Sequence, residues 1–203
     1  MKIAEIDIIV KILGFLGSIG VILFGIIQYK KGQRWQKANI LLTLIDHFEN
    51  DKNIRVAREM LDWDKRSIIF DDTRKMIFDN SILIRALAVV EMDDDTFTEE
   101  ESFIRDAFDS FFDFFHKLYS FQKSELLKFE DFAYFFYYFE LIRDIEHYKK
   151  GNEGLKVIVS KYIDKYHFIG IKHLLKQYER HPEPLDIMTE GSNKRARQSR
   201  NKK

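Results

Sequence analysis

The chain has 203 residues, of which 45% are hydrophobic and 33% charged, and its 33 Lys and Arg balance its 33 Asp and Glu. A neutral whole argues for no particular partner. The absence of cysteine excludes a disulfide framework, a thiolate zinc site and a cysteine nucleophile. With 19 Phe, 9 Tyr and only two Pro and nine Gly, the composition predicts long helices rather than disorder over most of the length.

The neutrality hides a segregation. Residues 1–40 carry six basic and two acidic side chains, residues 41–150 carry 15 and 25, and residues 151–203 carry 12 and six. The ends are basic and the middle is acidic, so these regions are expected to face different surroundings.

In chain order, the first feature is an apolar stretch. Ile12 to Tyr29 is a run of 18 uncharged residues, and Ile8, Ile9 and Val10 extend its apolar character past Lys11. As a helix it rises about 27 Å, the thickness of a hydrocarbon core. A signal peptide would end in a small-residue cleavage site, whereas this stretch runs into Gln28-Tyr29-Lys30-Lys31. It therefore predicts a transmembrane anchor over residues 1–34. Tyr29, Lys30, Lys31, Arg34 and Trp35 form its interfacial flank, and by the positive-inside rule the remaining ~170 residues lie in the cytoplasm, at the inner membrane. Gly14, Ser18, Val21 and Gly25 share one helix face, with Gly17 and Gly20 widening the small surface. Small residues let helices approach closely in lipid, so this face predicts a homo-oligomer. With one span per chain, a pore would require several copies.

Residues 35–190 predict a cytoplasmic helical domain, giving an all-α fold with one N-terminal transmembrane helix. Apolar residues from Ala38 to Phe48 follow the 3.6-residue period, in a helix that can continue from the span. A break at Asn50–Asn53 precedes a helix over Ile54–Trp63, with Val56, Met60, Leu61 and Trp63 turned inward. One or two further helices are expected between Ser67 and Val90. The acidic connection Glu91–Asp95 follows, and Thr98 with Glu101 forms the capping box of a long phenylalanine-bearing helix. A second aromatic helix is expected over Phe129–Tyr148, a turn at Gly151–Gly154, and helices over Leu155–Ile163 and Gly170–Tyr178. No segment is read as alternating with period two over strand length. Residues 191–203, with six basic side chains, predict a disordered basic tail, either solvated without a specific partner or bound to anionic lipid headgroups, with RNA a further partner.

The chain carries no G-x-x-x-x-G-K or G-x-G-x-x-G phosphate loop and no G-x-S-x-G elbow. Its six histidines show no H-x-x-x-H pair, and Asp93–Glu101 lacks the ligand spacing of a calcium loop, so no metal or cofactor is expected. Two arrangements remain. Asp62-Trp63-Asp64 with Arg66 reads as helix-end packing with an ion pair. Arg143 and His147 stand four apart on one helix face, a phosphate-holding cation beside a proton-transfer group, the parts needed to cleave RNA at a 2′-hydroxyl. The ordinary alternative is a plain polar surface.

The layout of one N-terminal span followed by a compact helical body resembles the small membrane-anchored effectors of bacterial antiviral defence. Within these it is most similar to the accessory proteins that accompany RNA-targeting type VI CRISPR effectors. The resemblance implies a divergent HEPN-type domain, an oligomeric membrane pore, and partnership with an RNA-guided effector or with RNA. The HEPN signature is Arg, four to six residues, then His; Arg143 and His147 leave three between them. Leu61-Asp62-Trp63 is similar to a motif of uncharacterised bacterial single-span proteins and implies no activity. Three functions are thus expected in turn: a non-enzymatic pore-forming effector, a membrane-tethered ribonuclease using Arg143 and His147, and a scaffold recruiting a cytoplasmic partner.

Overall fold

The computed structural model describes residues 3–69, 74–89, 97–145 and 154–180, with side chains from Phe15 onward. Two units are distinguished, residues 1–44 and 45–203. The first is built from helix α1, a 48-residue helix over Ile3–Asn50 whose last six residues belong to the second unit. The expected continuation of the apolar helix into the 35–48 segment is therefore observed. The acidic connection at Glu91–Asp95 and the tail at 191–203 lie outside the described residues.

The second unit continues through α2 (Lys52–Asp62), strands β1 (Lys65–Ile69) and β2 (Lys75–Asp79), α3 (Asn80–Leu87), and α4 (Glu99–Lys123). A 3-10 helix (Phe129–Phe135), α5 (Phe136–Arg143), α6 (Leu155–Lys165) and α7 (Ile169–Arg180) complete it. Helix starts follow local chemistry. Asp51 accepts from the Ile54 amide at 2.9 Å to start α2. Thr98 and Glu101 make both bonds of the expected capping box, and Glu99, Glu100 and Glu101 complement the helix dipole of α4.

Helix α4 is the centre of the body and packs against α2, α3 and α7. Ile104, Ala107, Phe108, Phe111, Phe112, Phe114, Phe115 and Leu118 are all buried, an apolar arc far wider than a surface helix carries. Phe48, at the end of α1, inserts its ring among Phe111, Phe114, Phe115, Phe135 and Tyr138 at centroid distances of 4.8–6.2 Å. Most of these contacts are tilted or edge-to-face, the arrangement the ring quadrupole favours. The Arg58 guanidinium covers the Phe48 ring at 4.9 Å, donates to the Phe48 carbonyl at 3.0 Å and pairs with Glu49 at 2.9 Å.

Two segments differ from the sequence expectation. The 67–90 region is not all helix: β1 and β2 form an antiparallel hairpin, with Ser67 opposite Ile77 and Ile68 opposite Met76. Met76 and Phe78 point inward while Lys75 and Ile77 face out, a period-two pattern short enough to be masked by the neighbouring apolar run. A lone hairpin is marginal in water, and this one is held by burying Ile68, Met76 and Phe78. Asp79 then caps α3 through the amides of Ser81 and Ile82 at 2.9 and 3.1 Å. The Ser81 hydroxyl, with these amide bonds, holds its carboxyl below the usual aspartate range.

The second difference is at Phe129–Tyr148, where the expected single helix is a 3-10 turn followed by α5. Phe129, Phe132 and Phe135 recur every third residue, and all three are buried. A spacing of three stacks side chains on one edge of a helix with three residues per turn. In α5 the buried set widens to Phe136, Tyr138, Phe139, Leu141 and Ile142. Tyr134 and Tyr137 turn outward and donate to Glu49 at 2.5 Å and Asp62 at 2.9 Å.

The crossing of α4 and α7 is close enough to require glycine. A Cβ on Gly170 would lie 2.4 Å from the His116 Cα, against backbone that cannot rotate away. Gly170→Ala is expected to force the two helices apart at a cost of about 1–3 kcal/mol. Chemical denaturation of the two proteins measures it, and an unchanged midpoint would contradict the crossing.

One electrostatic pin joins α4 to α6. Tyr162 is fully buried and donates to Asp109 at 2.6 Å, while Arg105 lies over the rings of Tyr162 and Tyr166 at 5.0 and 5.1 Å. Burial drives the Asp109 carboxyl above its usual value of 3.8, against the Tyr162 bond and Arg105, which act to lower it. An acid with a raised native pKa binds its proton more tightly folded than unfolded. It therefore favours folding below its unfolded pKa, and that contribution is lost as pH rises through the native one. Stability is expected to fall across that interval, and Asp109→Asn, which keeps an acceptor for Tyr162, to flatten the decline. Parallel denaturation curves against pH for the two proteins would sink this assignment.

Candidate functional site

The sequence points to two places, the apolar length of α1 and the Arg143 region. From Phe15 to Arg34 every side chain of α1 is exposed, including Phe15 at 67%, Phe24 at 63% and Ile27 at 62%. Ser18, Val21 and Gly25 are on this exposed length, and Gly14 lies ahead of the described side chains. Among the described residues, a Cβ on Gly17, Gly20 or Gly25 would meet nothing within 4 Å. Tyr29, Lys30, Lys31, Arg34 and Trp35 are exposed as well, and Tyr29 accepts from the Gln33 amide at 2.8 Å. Among the described residues no helix is long and apolar enough to cross a membrane. The apolar stretch from Ile8 to Tyr29 straddles the start of the described side chains, with residues 8–14 ahead of it.

Arg143 closes α5. Its Nε and Nη2 both donate to one carboxylate oxygen of Asp144, at 3.0 and 2.6 Å, and its guanidinium stands over the Tyr178 ring at 5.4 Å. The Asp144 bonds raise the guanidinium pKa further, and burial raises that of Tyr178. His147 lies outside the described residues, so the structure does not bring the two expected partners together.

Beside Arg143 a cleft of about 350 Å³ opens between the end of α5 and the facing sides of α6 and α7. Its floor is Ile142, Val159 and Ile163, and its rim carries Lys156, Ser160, Lys172 and Lys176 with the carboxylates of Asp164 and Glu179. Among the described residues its lining includes no histidine beside Ser160. The lysines went unremarked in the sequence because they come from two helices; the only local signal is the four-residue spacing of Lys172 and Lys176 on one face.

The Asp62-Trp63-Asp64 arrangement resolves into packing. Asp62 accepts from Tyr137, Asp64 accepts from Asn80 at 3.0 Å, and Arg66 covers the Trp63 ring at 5.2 Å. Trp63, expected to turn inward, is 42% exposed because the chain leaves the helix there in an extended conformation. Among the described residues no group of three or more His, Asp or Glu is placed to hold a metal. No protein-family model, no curated protein and no solved structure matches the chain.

Proposed function

We propose that this chain is a membrane-anchored effector that acts by self-assembly, with α1 as its anchor and the helical body on the cytoplasmic side. The observation that carries this reading is the exposed apolar length of α1. Isolated exposed hydrophobic residues are ordinary, but a continuous helical surface of Phe, Ile, Leu and Val is not left to water. Its extent supports lipid as the cover: Ile8 to Tyr29 matches a hydrocarbon core, and Tyr29, Lys30, Lys31, Arg34 and Trp35 follow where headgroups would lie.

Self-assembly draws its support from the small residues on that length. Open space beside Gly17, Gly20 and Gly25 leaves room for the backbone of a second copy, the packing that holds helices together in lipid. A ring of such copies is the one route by which a single span per chain makes a pore, and depolarisation of the inner membrane is the activity proposed for it. The antiviral, CRISPR-associated setting is proposed on the resemblance of layout alone. The Arg143 geometry gives ribonuclease action no support of its own, since both bonded nitrogens of the guanidinium are taken by Asp144.

Full-length protein in detergent is expected to run as a defined high-order oligomer by light scattering or native mass spectrometry. Gly14→Leu combined with Ser18→Leu is expected to reduce it to a monomer and to abolish any growth arrest on expression. Monomer or dimer in the wild type would leave too few spans for a pore and remove the proposal. Extraction of the wild type from membranes by alkaline carbonate would remove the anchor itself.

A further inference from the structure

We infer that the cleft between α5, α6 and α7 is a binding site for a phosphate-bearing anion, seated by Lys156 and Lys176. The lining carries four cations (Arg143, Lys156, Lys172 and Lys176) against two carboxylates (Asp164 and Glu179), a net charge of +2. Lys156, Lys172 and Lys176 come from the basic C-terminal part of the chain, and the fold of α6 against α7 gathers them at one cleft.

The cations are not equivalent. Arg143 is held by Asp144, and Lys172 is paired with Asp164 at 2.7 Å. Lys156 and Lys176 take part in no ion pair among the described residues. Lys172 and Lys176 stand four apart on α7, where like charges repel by a few tenths of a kcal/mol. A bound anion would relieve that repulsion; with Asp144 on Arg143 counted, the local balance is +1.

The floor strengthens the case. Ile142, Val159 and Ile163 are each at most 5% exposed, so a charge seated on them is attracted in a lower dielectric than at a plain surface. Lysine ammoniums on flexible stems are point charges that settle on separate phosphate oxygens, and the apolar floor accepts the carbon skeleton attached to them. A volume of about 350 Å³ is at the lower end of small-ligand sites, about the size for one phosphorylated group rather than a polymer. The phosphate has two sources of the same chemistry, a soluble nucleotide or the headgroup of an anionic lipid.

The test uses full-length protein in neutral-detergent micelles at low salt, titrated calorimetrically with ADP and, separately, with short-chain phosphatidic acid. Saturable binding that weakens with added salt is expected for at least one of them. Lys156→Gln combined with Lys176→Gln is expected to weaken it by about tenfold or more. Lys117→Gln combined with Lys161→Gln, exposed lysines away from the cleft, is expected to leave it unchanged. Tighter binding of ADP assigns the site to a soluble nucleotide, and tighter binding of phosphatidic acid to the membrane surface. All four lysines are exposed, so the variants are expected to retain the wild-type thermal midpoint. Absence of saturable binding to either probe, or an undiminished affinity in the Lys156/Lys176 variant, overturns the inference. Neither outcome depends on the oligomeric state in detergent, so the site and the assembly stand or fall separately.

Discussion

The helical body depends on one helix whose phenylalanines have no polar duty. Phe108, Phe111, Phe112, Phe114 and Phe115 of α4 are buried around a wide arc, and the surrounding elements of the body exist by covering them. Phenylalanine suits that task because it buries a large area without a group that must find a hydrogen-bond partner. The polar tips of Tyr134 and Tyr137 reach carboxylates toward the surface, and that of the buried Tyr162 is satisfied by Asp109. Around this slab the requirements are geometric, and the α4–α7 crossing shows how tight they become: only a residue without a Cβ fits at Gly170.

The same constraint separates the two regions of functional interest. Residues that serve the aromatic core are spent on packing, so chemistry is left to groups outside it. On α1 that means an apolar length whose described side chains are exposed. Between α6 and α7 it means lysines held at the rim of a small cleft, because each helix turns its apolar side to the core and its charged side out. Both places follow from amphipathicity, one overwhelmingly apolar and the other basic over an apolar floor.

The Arg143 position shows what a spacing along the chain leaves undecided. Arg143 and His147 lie on one face in a regular helix, but α5 ends at Arg143, where Asp144 takes hold of the guanidinium. An arginine at a helix C-terminus beside an acid is a common structural fixture, with the charge complementing the helix dipole. What makes the position interesting is the company it keeps in space, from α6 and α7, which no spacing along the chain would reveal.

What the amino-acid sequence determined by itself was local. Periodicity located α1, α2, α4, α6 and α7, and the Thr98–Glu101 capping box was readable because its two bonds span three residues. Charge segregation and the unbroken apolar run at Ile12–Tyr29 were likewise properties of the chain. What only the tertiary structure decided was anything needing a partner from elsewhere. The hairpin at 65–79 is stable only because the body covers Ile68, Met76 and Phe78. The 3-10 turn at 129–135 is chosen because three phenylalanines must enter one core together. The Asp109–Tyr162 pin and the lysine-rimmed cleft join residues 53 apart and helices with separate histories in the chain. Local signals report the conformation a segment prefers, whereas burial and charge pairing are settled by whichever distant residues the fold brings beside it.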